Sequence, residues 1–168
     1  RDYYLDPENE NIRTAYKEYL GKLFRLAGIP EADIEKAVAG VMNIETKLAE
    51  KSWSNTELRD IPAQYNPTAK AEFEKTYDAI DWPAYYKAMG IGDFDTIIVT
   101  TKSSIANAND LMKNAPLEDI RYYLTAQYLD DAASDLSDDF QQASFDFYGK
   151  AMAGQQEMKP RWKRAMSV

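Results

Sequence analysis

The chain has 168 residues, 45% apolar and 29% charged, with seven Gly, seven Pro and an aromatic complement of 12 Tyr, 6 Phe and 3 Trp; this is the composition of one folded domain, not of a disordered chain or a linker. The net charge of −8 repels phosphate backbones, so nucleic-acid binding would require a concentrated basic face. With no His and no Cys, the sequence excludes disulfides, imidazole or thiolate zinc sites, Ser–His–Asp triads and Cys–His pairs.

Ile12, Tyr16, Tyr19, Leu20, Leu23 and Ala27 recur at spacings of three and four. With Pro7 near the start and Gly28 and Pro30 as a stop, they predict a helix over roughly 8–27. A second stripe of Ile34, Val38, Val41, Ile44 or Glu45, and Leu48 predicts a helix over roughly 31–51. The short connection between the two implies an antiparallel hairpin.

Ser54 and Glu57 have the spacing of a capping box, which starts a short turn of helix. Asn66 reads as an N-cap with Pro67 at the first helical position, opening a helix over roughly 67–77. Asp81-Trp82-Pro83 repeats that pattern and opens a short helix that ends at Gly90. Thr96-Ile97-Ile98-Val99-Thr100-Thr101 is the one strong strand signal. It either pairs with something outside this segment or forms a buried extended connector.

The last third returns to helix. A modest helix spans 103–114. Pro116 opens another, with Leu117, Ile120, Leu124, Tyr128 and Ala132 on one face. Ser137 caps a third, bearing Phe140, Ala143, Phe147 and Ala151 and ending near Gly154, and a last helix spans 159–166 with Pro160 in its first turn. The expected fold is mainly α: a multi-helix orthogonal or antiparallel bundle, a single helical domain over 1–168, with at most one short extended segment. No stretch approaches 18 consecutive apolar residues, the minimum for a membrane-spanning helix. The chain opens on Arg1 with no visible signal peptide, and Arg164–Val168 reads as a helix cut in mid-course, so the sequence looks like a fragment of a longer protein.

No HExxH, Walker loop, GxGxxG or GxSxG motif is present. Asp93 and Asp95 lack the further ligands of an EF-hand loop and read as a polar turn. Asp130-Asp131 and Asp138-Asp139 are adjacent pairs that diverge around a helix, and the second pair suits a helix N-terminus. Glu45, on or beside an apolar stripe, is paired with a buried cation or placed at a site; Arg59 and Arg13 are the possible partners. The basic cluster Lys159, Arg161, Lys163 and Arg164 reads as a set of salt-bridge partners for an acidic body. Tyr3, Tyr4, Tyr16, Tyr19, Tyr85, Tyr86, Tyr122 and Tyr123 read as interhelical packing with hydroxyls reaching solvent, and secondarily as a peptide-binding surface. No catalytic, cofactor-binding or metal residue is assigned.

Several strings occur in a specific order: Arg1-Asp2-Tyr3-Tyr4; Arg59-Asp60 ahead of Tyr65-Asn66; Leu136-Ser137; Phe145-Asp146-Phe147-Tyr148-Gly149-Lys150; Gly154-Gln155; and Pro160-Arg161-Trp162-Lys163-Arg164-Ala165. Together they resemble the neprilysin and endothelin-converting-enzyme family of zinc metalloendopeptidases, in particular its bacterial PepO-type oligopeptidases, and the resemblance runs through essentially the whole chain. It implies a longer parent enzyme that hydrolyses peptides, with zinc held in an HExxH helix and a later glutamate-bearing helix downstream of Val168. On that resemblance this segment is the upstream helical region and holds no zinc. Its expected partners are the catalytic domain of the same parent chain and peptide substrates, not nucleic acid, and the segment does not insert into a membrane. The family faces the periplasm or the cell exterior, with some bacterial members reported inside the cell. Two other readings follow from the residues: a standalone helical module that binds proteins or peptides without catalysis, and a His-free enzyme using paired carboxylates, such as a glycosidase.

Overall fold

The computed structural model describes residues 1–166, so the reading of the terminus as a helix cut in mid-course lies partly outside the described residues. The fold is mainly α, as the periodicity predicts. The chain divides into two compact units, one made of Arg1–Leu5 with Ile44–Leu117, the other of Asp6–Asn43 with the chain from Glu118 onward.

The second unit is built on α2 (Glu10–Leu26) and the first half of α3 (Glu31–Lys51). A 3₁₀ turn, Pro7–Asn9, precedes α2; the Asp6 carboxylate caps it by accepting the Glu8 N–H at 2.9 Å. At the other end Gly28 adopts φ +83°, and the Ile29 N–H reaches back to the Phe24 carbonyl, the left-handed stop that glycine makes without a Cβ penalty. The hairpin is antiparallel: Lys17, Gly21 and Arg25 line one groove with Val38, Ile34 and Glu31, and Arg25 clasps Glu31 at 2.7 Å.

Two apolar clusters hold this unit. Leu20 and Phe24 of α2 pack with Ile34, Ala37 and Val41 of α3 and with Ala126 of α8 (Leu117–Ala132). Tyr19 and Leu23 pack with Ala133, with Ala143 of α9 (Asp138–Ser144) and with Phe147 of the π-helical segment Phe145–Met152 that continues α9. Helix α2 is therefore covered on two sides, which is why Phe24, off the single stripe read from the sequence, is fully buried. Each such side chain contributes about 1.5–3 kcal/mol of burial. The α3–α8 crossing is close: a Cβ on Gly40 would lie 2.9 Å from an Asp119 carboxylate oxygen and 3.2 Å from the Asp119 Cα. Asn43 donates to Asp119 at 2.7 Å and Lys36 pairs with Glu118 at 2.5 Å. The short α10 (Arg161–Ala165) begins after Pro160, which takes the N-cap position.

The predicted face of α8 is corrected. Ile120 is buried, but Leu117, Leu124 and Tyr128 are exposed, at 63%, 52% and 75%. Tyr122, Tyr123, Ala126 and Leu129 pack inward instead. The sequence offers apolar residues on both sides of this helix, and periodicity alone does not select between them.

The first unit holds α1 (Asp2–Leu5), the second half of α3, a 3₁₀ turn at Glu57–Arg59, α4 (Ile61–Gln64), β1 (Pro67–Ala69), α5 (Lys70–Thr76), α6 (Trp82–Ala88), β2 (Thr96–Ile98) and α7 (Lys102–Asn114). The capping box forms: the Ser54 N–H donates to Glu57 at 2.6 Å and the Glu57 N–H returns to the Ser54 hydroxyl at 3.3 Å. Asp81 caps α6 through the Ala84 N–H.

Two expectations fail here. Pro67 opens no helix; it starts β1, which pairs antiparallel with β2 in the register Pro67↔Ile98, Thr68↔Ile97 and Ala69↔Thr96. The strand-like run thus finds its partner within the chain. Asn66 is accordingly no helix cap: its amide donates to the carbonyls of Ala63 and Val99, fastening the start of the ladder. Below it Phe73, Tyr77 and Val99 form a small core with Trp82, Ile97 and Ile105 against them. The Trp82 indole N–H donates to the Tyr77 carbonyl.

Candidate functional site

In the first unit Glu45 projects from α3 and is 7% exposed. A buried carboxylate must be met by donors. The structure supplies the Tyr4 hydroxyl, which donates to Glu45 at 3.0 Å from a position 41 residues away. One partner is thus a phenol from α1, one of the tyrosines the sequence assigns to interhelical packing. Asp93 sits in a turn as expected: it accepts the Phe94 N–H and Lys70 Nζ, the latter at 3.3 Å. The same ammonium lies 4.9 Å from the Phe94 ring centroid and 5.4 Å from that of Tyr86, a two-ring cation–π seat. Burial, with Glu74 nearby, pushes the Tyr86 phenol above its ordinary range. The Tyr86 hydroxyl and one Glu74 carboxylate oxygen are buried without a hydrogen-bond partner.

In the second unit Asp130 is the centre of a tyrosine clasp. It accepts Tyr19 at 2.7 Å on one oxygen and Tyr148 at 2.8 Å on the other. The Tyr19 ring stacks on Phe147 at 5.2 Å between centroids and is 2% exposed. Burial first, and the Asp130 carboxylate second, push the Tyr19 phenol far above its ordinary range. Asp138 and Asp139 lie in the first turn of α9, where negative charge suits the helix dipole. Asp146 accepts Lys150 at 2.7 Å and Gln142 at 2.9 Å and lies 3.6 Å from Lys22; the Lys150 ammonium holds its carboxyl below the usual range. In the basic C-terminal cluster, Arg164 donates to the Gln141 side-chain oxygen at 2.7 Å, and Lys163 lies over the Trp162 ring. A cleft of about 340 Å³ opens beside the clasp, lined by Glu18, Tyr19, Lys22, Asp146 and Lys150 among others.

Glu45 and Asp130 are engaged by phenols, and Asp93 and Asp146 by ammonium groups. Zinc, which the resemblance implies for the parent, needs a converging set of imidazole, thiolate or carboxylate donors. This chain has no His or Cys, and among the described residues no group of three or more Asp or Glu side chains converges. The described residues do not fit zinc. Also among the described residues, no helix is long and apolar enough to cross a membrane.

The likeness to known proteins extends along the whole chain. The neutral endopeptidase of Lactobacillus helveticus is 25% identical over 162 residues, covering 96% of this chain and 25% of that protein. Endothelin-converting enzyme 1 of Homo sapiens is 27% identical over 175 residues, covering 99% of this chain and 22% of the enzyme. Among solved structures, the open state of the Mycobacterium tuberculosis zinc metalloprotease Zmp1 superimposes with a TM-score of 0.93 at 25% identity, over 99% of this chain and 26% of that one. Its inhibitor complex superimposes with a TM-score of 0.91 at 24% identity. The chain therefore spans about a quarter of the length of these relatives. The N-terminal profile of peptidase family M13 matches residues 1–168, from the first residue of the sequence to the last, and this chain belongs to that family.

Proposed function

We propose that this chain is the non-catalytic helical region of a zinc metalloendopeptidase and forms part of a chamber that limits which peptides reach a zinc site elsewhere in the parent polypeptide. The observation that carries the reading is the superposition of nearly the whole chain on a quarter of a protein described as a zinc metalloprotease. The donor set supports it, since a chain without His or Cys suits a wall and not the metal centre itself. The work of such a wall is steric. Packed helices with fully buried Leu20, Leu23, Phe24 and Val41 resist deformation, so a bulky substrate is excluded instead of accommodated. The net charge of −8 also favours basic peptides, within a screening length of roughly 8–10 Å at cellular salt. The partners under this reading are the catalytic domain of the same chain and peptide substrates.

The test is a length series of peptides sharing one scissile sequence, offered to the full-length parent. The reading expects kcat/KM to fall steeply beyond a threshold length and folded proteins carrying the same sequence to resist cleavage. Equal cleavage of short peptides and folded proteins excludes the chamber role.

A further inference from the structure

The register of the β1–β2 ladder decides where its backbone groups point. The Val99 N–H donates to the Asn66 carbonyl at 3.0 Å, and the Lys70 N–H to the Asp95 carbonyl at 2.9 Å. With the pairing Pro67↔Ile98, Thr68↔Ile97 and Ala69↔Thr96, those two bonds fix the phase. Thr68 and Ile97 form the hydrogen-bonded pair. The pairs on either side are of the non-hydrogen-bonded kind, whose N–H and C=O groups point away from the partner strand.

The two outer edges are therefore unequal. On β1 the outward residues are Pro67, which has no N–H, and Ala69, after which the chain turns into α5. On β2 they are Thr96 and Ile98, which send two N–H and two C=O groups outward at strand spacing. The sheet has the order β1–β2, so among the described residues no strand lies beyond β2, and no other backbone group bonds to those four. Both residues are exposed, Ile98 at 44%. Proline, lysine or a bulge commonly guards a free edge, and Thr96-Ile97-Ile98 carries none of them.

We propose that the outer edge of β2 is a docking strand for an extended peptide, which adds as a third strand through the backbone of Thr96 and Ile98; this rests on the reading of the parent as a peptidase, which brings peptides to this region. The occupant follows from the edge itself. Outward N–H and C=O groups on alternate residues are matched by another extended backbone, and by no compact ligand. Thr96 and Ile98 share one face of the sheet, so the peptide residue beside Ile98 is apolar. Asp95 is exposed at the start of the strand in a chain of net charge −8, so the favoured peptide carries a basic residue there. A second copy of the chain is the weaker occupant. Two bodies of charge −8 repel each other, and a three-residue edge falls far short of the roughly 20–30 residues a side that stable interfaces use.

The test is hydrogen exchange at single-residue resolution in the full-length parent, with a zinc chelator present so that the probe is not consumed. The probe is a six-residue peptide of alternating valine and threonine with one terminal lysine. The control is the same peptide N-methylated at alternate residues, which removes the donors of one edge. The probe is expected to slow exchange of the Thr96 and Ile98 amides at least roughly five-fold, and the control to leave them unchanged. Ile98→Pro deletes an outward N–H that the ladder does not use, and is expected to weaken probe binding at least about three-fold. If that variant misfolds, the methylated control alone decides. Unchanged exchange with the probe overturns the proposal, as does equal slowing by the control. So does protection of both amides before any peptide is added, which means that the parent's own chain or a second copy covers the edge. Cleavage of the probe is measured separately without chelator. Slowing without cleavage leaves the docking strand standing and removes the peptidase reading; cleavage without slowing does the reverse.

Discussion

The Tyr19 hydroxyl donates to Asp130 at 2.7 Å, joining residues 111 positions apart, while Tyr148 occupies the other oxygen of the same carboxylate. A hydrogen bond to a charged acceptor from a ring that is 2% exposed contributes about 1.5–3 kcal/mol. Tyr19→Phe should therefore lower stability by about that amount at pH 7, read from urea or thermal unfolding. The ring contact with Phe147 survives the substitution, so a loss of more than about 4 kcal/mol would contradict this account.

Tyr86 should respond in the opposite way. Its hydroxyl is buried without a hydrogen-bond partner, so Tyr86→Phe removes a desolvated group that nothing compensates. Stability is expected to stay level or rise by up to about 1 kcal/mol. A loss like that of Tyr19→Phe would show that the hydroxyl is satisfied in solution.

The same two phenols contribute to the loss of stability at alkaline pH. Both are held above their ordinary range, Tyr19 by burial and Asp130, Tyr86 by burial and Glu74. Above about pH 10 the unfolded chain releases these protons while the folded chain retains them, so the folded state binds more protons and stability falls with rising pH. Their contribution is complete below about pH 10 and is lost as pH climbs toward the folded values. Melting temperatures from pH 8 to 11 should decline above pH 10 for the wild type and less steeply for Tyr86→Phe.

Gly40→Ala sets two magnitudes against each other. Alanine gains about 1 kcal/mol of helix propensity over glycine. The new methyl meets the Asp119 Cα at 3.2 Å and its carboxylate at 2.9 Å, and backbone yields less readily than a flexible side chain. Overpacking of this kind costs about 1–3 kcal/mol, so the net is a loss of up to about 2 kcal/mol. A stabilised variant would mean that α3 and α8 separate freely at this crossing.

Several helix boundaries were legible in the sequence because local chemistry set them. Helix α3 begins and ends where periodicity and Pro30 place it, and the Ser54–Glu57 box forms as its spacing requires. The failures share a cause in tertiary context. Asn66-Pro67 is as good a helix start as a strand start, and only the pairing of Thr68 with Ile97 decides it. Leu124 and Ala126 are equally acceptable as an inner face until α2 and α3 take one side of α8. One Glu45 donor, Tyr4, lies 41 residues away in a four-residue helix, beyond any local pattern.

Under the proposed function this chain is one region of a zinc peptidase and not the catalytic part. The direct measurement is zinc content by mass spectrometry together with peptide cleavage, made in parallel on the purified 168-residue chain and on the full-length protein that contains it. Stoichiometric zinc and cleavage are expected in the full-length protein and neither in the 168-residue chain. Stoichiometric zinc with cleavage by the 168-residue chain, or a full-length protein that neither binds zinc nor cleaves peptides, would contradict the proposed function.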